Sequence, residues 1–570
     1  MKTISPLPPL WTGLWAPLLA LAWLLPNHYY PWATFHSDAW VAVMLAVACA
    51  AVFLRGQVPV AWRPLTILFS LLALVPLIQF SMGLLPYMGQ AWVNSLFVFG
   101  LVLALLTGAQ WEAASPSRAA DALFLAIGIA AIVSVGLQLR QWVAVMTDWD
   151  DMQIWMAEFS PGRPSANLGQ PNQLATLLLW GMLAAAWGVV RGKIGRVGAL
   201  AMVFYLLFGL ALTQSRTAML AVFVSTAAVW CWRKWLPRGT PWYITVLFGY
   251  FLICTFSLQY LSDLLHLDHE IRSASFGGGS SRLRIQAYQM FLDALAQHPW
   301  VGYGWNRLAV AHLAVAENHP SMQGLFQHSH NLFLDLALWN GIPIGGLVAL
   351  ILVGWMVRRL GLVRSPEEIV MALFLVVVGL HAMVELPLHH AYFLLPTGLV
   401  MGMLEQKQHA RVLFRTSRWI ALLLWLCCCI LLFSVMRDYL RVEENFRVFR
   451  LEINRVGNLP PGHTPDVLVL DDLADFMRNA RLEFDPAKVT EEEMQHLYRV
   501  VTSFPTSGNM LRYAQVLAFR RGSEETQLWL RKVEKMLPPE IADGLKAGWV
   551  ATGKQYPEAT SIPWPEAKLP

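Results

Sequence analysis

The sequence predicts an all-α polytopic membrane protein, a bundle of about thirteen transmembrane helices with one large loop and a charged helical C-terminal region. Three observations carry that expectation. Of 570 residues, 56% are hydrophobic and 14% charged, whereas soluble domains hold roughly 45–50% apolar and 25% charged residues. Apolar segments recur that are long enough to cross a ~30 Å hydrocarbon core at 1.5 Å per residue. The 26 Trp fit a protein with many interfacial anchors. Net charge is only +5, so its placement matters more than its sum. The six cysteines (Cys49, Cys231, Cys254 and Cys427 to Cys429) lie in or beside apolar segments. There they act as small hydrophobes and suggest neither a disulfide framework nor a zinc site.

In chain order the predicted spans are 9–26, 38–54, 64–86, 91–108, 119–138, 173–190, 197–214, 217–233, 241–261, 331–357, 367–385, 388–404 and 417–436. The first run shows no small-residue cleavage site and is read as a retained span. Alternate loops are basic: Arg55 and Arg63, then Arg118, Arg191-Lys193-Arg196, Arg233-Lys234-Arg238, Arg358-Arg359-Arg364 and Lys407-Arg411-Arg415. By the positive-inside rule this set is cytoplasmic. The loop 262–330 and the C-terminal region then lie outside, in the periplasm of a two-membrane bacterium. These boundaries divide the chain into N-terminal spans (1–261), the large loop (262–330), C-terminal spans (331–436) and a soluble helical domain (437–570). In the last, charged helical stretches such as TEEEMQHLYRVVTSF and SEETQLWLRKVEKML are punctuated by Pro460-Pro461-Gly462, Pro505, Gly508 and Pro538-Pro539. That pattern reads as short antiparallel hairpins, either a stabilising cap or a partner-binding module.

Chemistry concentrates in few places. The large loop holds Arg282, Arg284, Arg307, His298, His312, His319, His328 and His330, a density of basic and titratable groups suited to an anion. Arg216, in LTQSRTAML, has no basic neighbours and sits at the outer end of two spans, against the topology bias. Charge at a membrane edge is expensive and is usually functional or paired, although an arginine can also snorkel to headgroups. In SSRLRIQAYQMFLDALAQHPWVGYGW, Arg282, Arg284 and Tyr288 open an amphipathic helix after a triple glycine. A guanidinium fork matches phosphate oxygens, and a helix start adds positive potential. HSHN (His328 to Asn331) enters a span with two imidazoles on different faces, one able to act as base near neutral pH. No third and fourth ligand with plausible spacing accompanies them, so no metal is expected. In SANLGQPNQLAT, the amides of Asn167, Gln170 and Asn172 suit sugar hydroxyls or a peptide backbone, and equally well a polar helix cap. Glu385, before His389-His390, fits a buried structural ion pair.

Together, TQSRTA, the SSRLRIQAY…HPWVGYGW segment and HSHNLFLDLALWNG resemble the O-antigen ligase and polymerase superfamily. NLGQPNQLAT and the helical C-terminal region look like its bacterial O-linked oligosaccharyltransferases, the PglL type. The resemblance implies a GT-C-like inner-membrane bundle that transfers a preassembled oligosaccharide from undecaprenyl diphosphate to Ser or Thr of periplasmic proteins such as pilin, with no cofactor and no nucleic-acid partner. Carried over by position, Arg216 and Arg284, with Arg282 next, contact the donor diphosphate. His330 is the catalytic histidine, with His328 second. Asn167, Gln170, Asn172, Asn331 and Tyr288 are assigned to substrate, Tyr288 standing where the family often has Trp. The implied reaction is direct displacement with inversion at the anomeric carbon. The nearest alternative is a ligase or polymerase acting on lipid A core or another glycan. A flippase is disfavoured by the scarcity of intramembrane carboxylates. A receptor would depend wholly on residues 440–570, whereas an enzyme working from the large loop is expected to keep some turnover without them.

Overall fold

The computed structural model describes residues 9–55, 59–143, 155–156, 163–267, 279–322, 324–457, 463–482, 485–556 and 562–565. Gly277, Gly278 and Pro460-Pro461-Gly462 lie outside the described residues, as does the side chain of Arg282. A helix occupies each of the predicted apolar segments. Among the described residues, eight helices are long and apolar enough to cross a membrane, from Phe35–Arg55 to Arg418–Ile453, and Arg196–Leu212 and Arg216–Cys231 are shorter apolar helices. The protein is a mostly helical polytopic membrane protein.

The structure corrects the sequence reading in four places. The predicted span 64–86 is broken into Pro64–Leu72 and Val75–Ser81. The span 331–357 is bent at Gly341, where φ is 76° and ψ 167°. Its first part, beginning at Leu332, is therefore a short helix, and a second helical run begins at Ile342. The last span does not stop at 436 but runs on through the charged sequence as Arg418–Ile453, about 54 Å of unbroken helix. Finally, the chain is not purely helical. Val60–Trp62 and Phe414–Thr416 form a two-stranded antiparallel sheet with Val60 opposite Thr416.

The chain forms two compact units, each discontinuous in sequence. One comprises Met1–Ala73, Leu96–Phe276 and Leu352–Phe433; the other comprises Leu74–Ser95, Gly277–Ile351 and Ser434–Pro570. In the first unit, the ends next to the basic loops are tied by ions. Arg191 bonds Asp121 (3.1 Å) and Glu367 (2.9 Å), and Lys407 bonds Glu367 with Glu112 at 3.7 Å. Two of the cations that set the topology bias thus also stitch helix ends together.

In the second unit, the large loop and the C-terminal helices share one core. Leu313 and Ala316 pack with Leu497, Val501, Met510, Trp529 and Val533. The C-terminal helices are Asp471–Arg481, Glu491–Ser503, Ser507–Arg520, Ser523–Met536 and Pro539–Gln555. Thr490 and Glu493 form a reciprocal capping box and Thr506 caps the next helix, which sets where each hairpin turns. Buried Asp438 accepts N–H bonds from Leu468 (2.7 Å) and Val469 (2.6 Å), anchoring the first of these helices to the long one.

Candidate active site

In the first unit, polar side chains converge at the end remote from the basic loops. Ser215 accepts the Ala218 N–H (3.1 Å) and so caps the helix Arg216–Cys231. Arg216 is therefore the first residue of a capped helix, where the guanidinium and the helix dipole are positive together. Ser215 Oγ donates to Asn172 Oδ1 (2.7 Å), and Asn172 Nδ2 donates to Glu385 Oε1 (3.1 Å). Asn172 thus joins the Arg216 turn to a buried carboxylate that the sequence reading left at the margin. The neighbouring residues of the same helix are also committed. Tyr392 donates to Gln173 Oε1 (2.7 Å), and Thr176 Oγ1 lies 2.7 Å from His381 Nδ1. Asp38 Oδ1 accepts the Ala391 N–H at 2.6 Å.

The Asn167 turn is differently placed. Gln141 Oε1 accepts from Ser165 N (3.1 Å) and Ala166 N (2.7 Å), which fixes the turn from below. Asn167 is buried, and its Nδ2 donates to the carbonyls of Leu24 (2.7 Å) and Trp155 (2.9 Å). Its amide serves the fold and lies inside the protein. Gln170 remains half-buried at the start of the helix Pro171–Val190, in extended backbone and with no capping bond from its side chain. The amide-rich motif therefore divides into Asn167, held inside the fold, and Asn172, which links Ser215 to Glu385.

In the second unit, the helix Gly279–Gln297 carries Arg284 one turn before Tyr288, and Tyr288 reaches the HSHN turn. Tyr288 Oη donates to the His330 carbonyl at 3.4 Å. His330 has φ of +60°, a left-handed conformation that costs a non-glycine residue energy and clusters at functional sites. Its neighbours show why the turn holds. Ser329 N donates to buried Asp335 Oδ1 (2.8 Å), and Asn331 Oδ1 accepts from Phe333 N (3.0 Å) and Leu334 N (3.1 Å). Asn331 is therefore the N-cap of the short helix, a role beside the substrate contact its position suggested. His328 and Asp335 approach to within 4.8 Å. The His330 ring meets Phe326 edge-on, with centroids 6.0 Å apart.

Among the described residues, other cations of the loop are tied into its fold. Half-buried Arg307 donates to Leu84 O (2.9 Å) and Thr502 Oγ1 (3.1 Å), and desolvation pushes its pKa down to about 10. His319 pairs with Asp293 at 2.9 Å, and His298 packs against the Tyr303 ring. His312 is enclosed by Phe291 and Phe326, and burial pushes it down to about 4, so it stays neutral near pH 7. The unfolded chain binds a proton there below pH 6.5 and the folded loop does not until about pH 4. Stability contributed by this site is thus lost as pH falls from 6.5 towards 4, by about 2 kcal/mol at pH 5. Melting curves should show His312→Gln with a flatter pH dependence than wild type between pH 6.5 and 4; an unchanged slope refutes the assignment.

Comparisons with known proteins follow the same order along the chain. Residues 164–187 match the family described as protein glycosylation ligase, and residues 201–351 match O-antigen ligase. Residues 369–547 match the virulence factor membrane-bound polymerase, C-terminal family. The first match contains Asn172, and the second contains Arg216, Arg284, Tyr288 and His330. A general O-oligosaccharyltransferase of Acinetobacter baylyi is 28% identical over 530 residues, 90% of each chain. A ComP-specific O-oligosaccharyltransferase of the same organism is 28% identical over 273 residues, 47% of this chain and 49% of that one. The family matches and the two relatives together support a PglL-type O-oligosaccharyltransferase of the O-antigen ligase superfamily.

Proposed function

We propose that the protein is a membrane glycosyltransferase that moves a preassembled oligosaccharide from undecaprenyl diphosphate to Ser or Thr hydroxyls of exported proteins such as pilins. It works in the bacterial inner membrane through about thirteen spans, with the large loop and the helical C-terminal domain in the periplasm. The observation that carries the reading is the contact of Tyr288, one helical turn after Arg284, with the HSHN turn, where it bonds the His330 carbonyl at 3.4 Å. Arg216, the first residue of its capped helix, supports it independently.

Arg284 binds the diphosphate and stabilises the charge it gains on leaving, the role the sequence motifs also assign to Arg216. His330 takes the acceptor hydroxyl proton as that oxygen attacks the anomeric carbon. The bond from that carbon to the diphosphate oxygen breaks, and its electron pair leaves with undecaprenyl diphosphate. The product has inverted configuration, and no metal is required. His328, next to Asp335, orients the turn.

The test is transfer by purified protein given an undecaprenyl-diphosphate oligosaccharide and a pilin, with chelator present. Wild type should glycosylate the pilin, whereas His330→Ala should lose roughly 10²–10⁴-fold in kcat/KM, the usual worth of a proton-transferring group, and Arg284→Ala roughly 10²–10³-fold, that of a charge-stabilising donor. His328→Ala should retain more activity than His330→Ala. The polymerase-family match over residues 369–547 keeps a second acceptor class in view. Glycan delivered to lipid A core or to another glycan, with pilin untouched, would move the function there.

A further inference from the structure

The helix Gly279–Gln297 carries two apolar surfaces. Ala287, Met290, Phe291 and Ala294 form the buried one. On the opposite side Ile285 and Leu292 are 59% and 55% exposed, and at about 100° per residue their directions differ by only about 20°. After the turn at His298-Pro299 the chain presents Trp300, 77% exposed, and Val301, also exposed. Single exposed apolar residues need no explanation. A helical stripe that ends in an exposed tryptophan does.

What covers the stripe follows from where it leads. Ile342 N donates to Pro299 O and Tyr303 N donates to Leu338 O, each at 2.7 Å, so the Trp300 turn is bonded into the bend at Gly341. Immediately beyond the bend, Ile342, Ile344, Leu347 and Leu350 are exposed, Leu350 by 70%. They belong to a helix apolar and long enough to cross a bilayer, so their exposed side faces lipid. The stripe therefore continues a lipid-facing surface. We infer that Ile285, Leu292, Trp300 and Val301 rest on the bilayer and seat the helix Gly279–Gln297 in the membrane interface. The polar neighbours agree. Gln289, Gln297 and His298 are exposed beside the stripe, and the one carboxylate on that side, Asp293, is paired with His319. A tryptophan at the junction suits the headgroup level.

The seating sets the depth of the site. Arg284 and Tyr288 lie on one flank of the stripe, about 100° and 60° around from Ile285, and Tyr288 reaches the HSHN turn. Arg284 is thereby held at the rim of the lipid contact, level with headgroup phosphates. A lipid-borne diphosphate meets it without leaving the leaflet. This consequence rests on the function proposed above, whereas the membrane contact does not.

The experiment uses the full chain in nanodiscs of phosphatidylethanolamine and phosphatidylglycerol, with no glycan donor. Trace phospholipids carry a diazirine either near the headgroup or at the acyl terminus, and adducts are mapped by peptide mass spectrometry. Headgroup-level label should mark 285–301, and acyl-terminal label should mark 344–350, the internal control. Adducts at 344–350 but none at 285–301 would overturn the seating. So would labelling of 285–301 only by a water-soluble diazirine, or cross-linking of that peptide to a second copy. A second arm measures transfer by Leu292→Gln and Trp300→Gln. Their KM for the membrane-bound donor should rise roughly tenfold, the effect of losing about 1.4 kcal/mol of membrane contact, with kcat within about twofold. Lipid adducts with an unmoved KM would keep the seating and refute delivery of the donor at that depth.

Discussion

Gly341→Ala is expected to lower glycan transfer at least about 100-fold while leaving the protein folded, the scale on which a 1 Å misplacement of catalytic groups acts. The bend at Gly341 opens the helical bond from Ile342 N to Leu338 O. The turn 299–303 fills the gap, Pro299 O accepting from Ile342 N and Tyr303 N donating to Leu338 O. This exchange registers the helix bearing Arg284 against the helix entered by HSHN. It requires glycine on both sides. A Cβ at Gly341 would stand 2.2 Å from Trp300 O, and one at Gly302 2.3 Å from Leu338 O. The dihedrals of Gly341, 76° and 167°, are also in a region essentially restricted to glycine. Gly302→Ala should therefore fail in the same way. Gly346→Ala, where an added Cβ meets only Ile342 at 3.9 Å, should be close to wild type. Initial transfer rates in nanodiscs, alongside gel filtration and melting curves, make the comparison. Near-normal rates in folded Gly341→Ala would show that the bend does not register the two helices.

Much of this architecture was legible in the sequence. Apolar runs located the helices because hydrocarbon forces every backbone polar group into a local bond, and that requirement is written in composition. The bend at Gly341 was not legible, since WNGIPIGG sits inside a continuous apolar run and its partner turn lies some forty residues upstream. For the site, Arg216, Arg284 and HSHN stood out by charge and position, and the structure brings Tyr288, one turn after Arg284, to the His330 carbonyl. Residue type could not separate Arg284 from Arg307, or His330 from His312. Those pairs differ in burial and partners, which tertiary packing decides. Asn167 and Asn172 show the same limit five residues apart: one donates to two carbonyls inside the fold, the other links Ser215 to Glu385.

A chain ending at residue 457 is expected to be inactive, even for hydrolysis of the lipid donor. The sequence reading allowed residual turnover without the C-terminal domain, because it treated residues 437–570 as an appendage. The structure makes them half of a shared core. Leu313 and Ala316 of the large loop are buried among Leu497, Val501 and Trp529, and Met322 N donates to Lys535 O at 3.1 Å. Half-buried Arg307 places one guanidinium nitrogen on Thr502. From there the chain reaches Phe326, which meets the His330 ring. Since truncation could simply unfold this unit, Thr502→Val is the finer test. It keeps the volume and removes one acceptor of a half-buried cation, a loss of about 1–3 kcal/mol. A domain that positions the catalytic turn predicts a kcat reduced by roughly tenfold or more with an unchanged KM for the acceptor protein. A domain that only captures the acceptor predicts the reverse, and a raised KM at normal kcat would return these helices to the role of a detachable module.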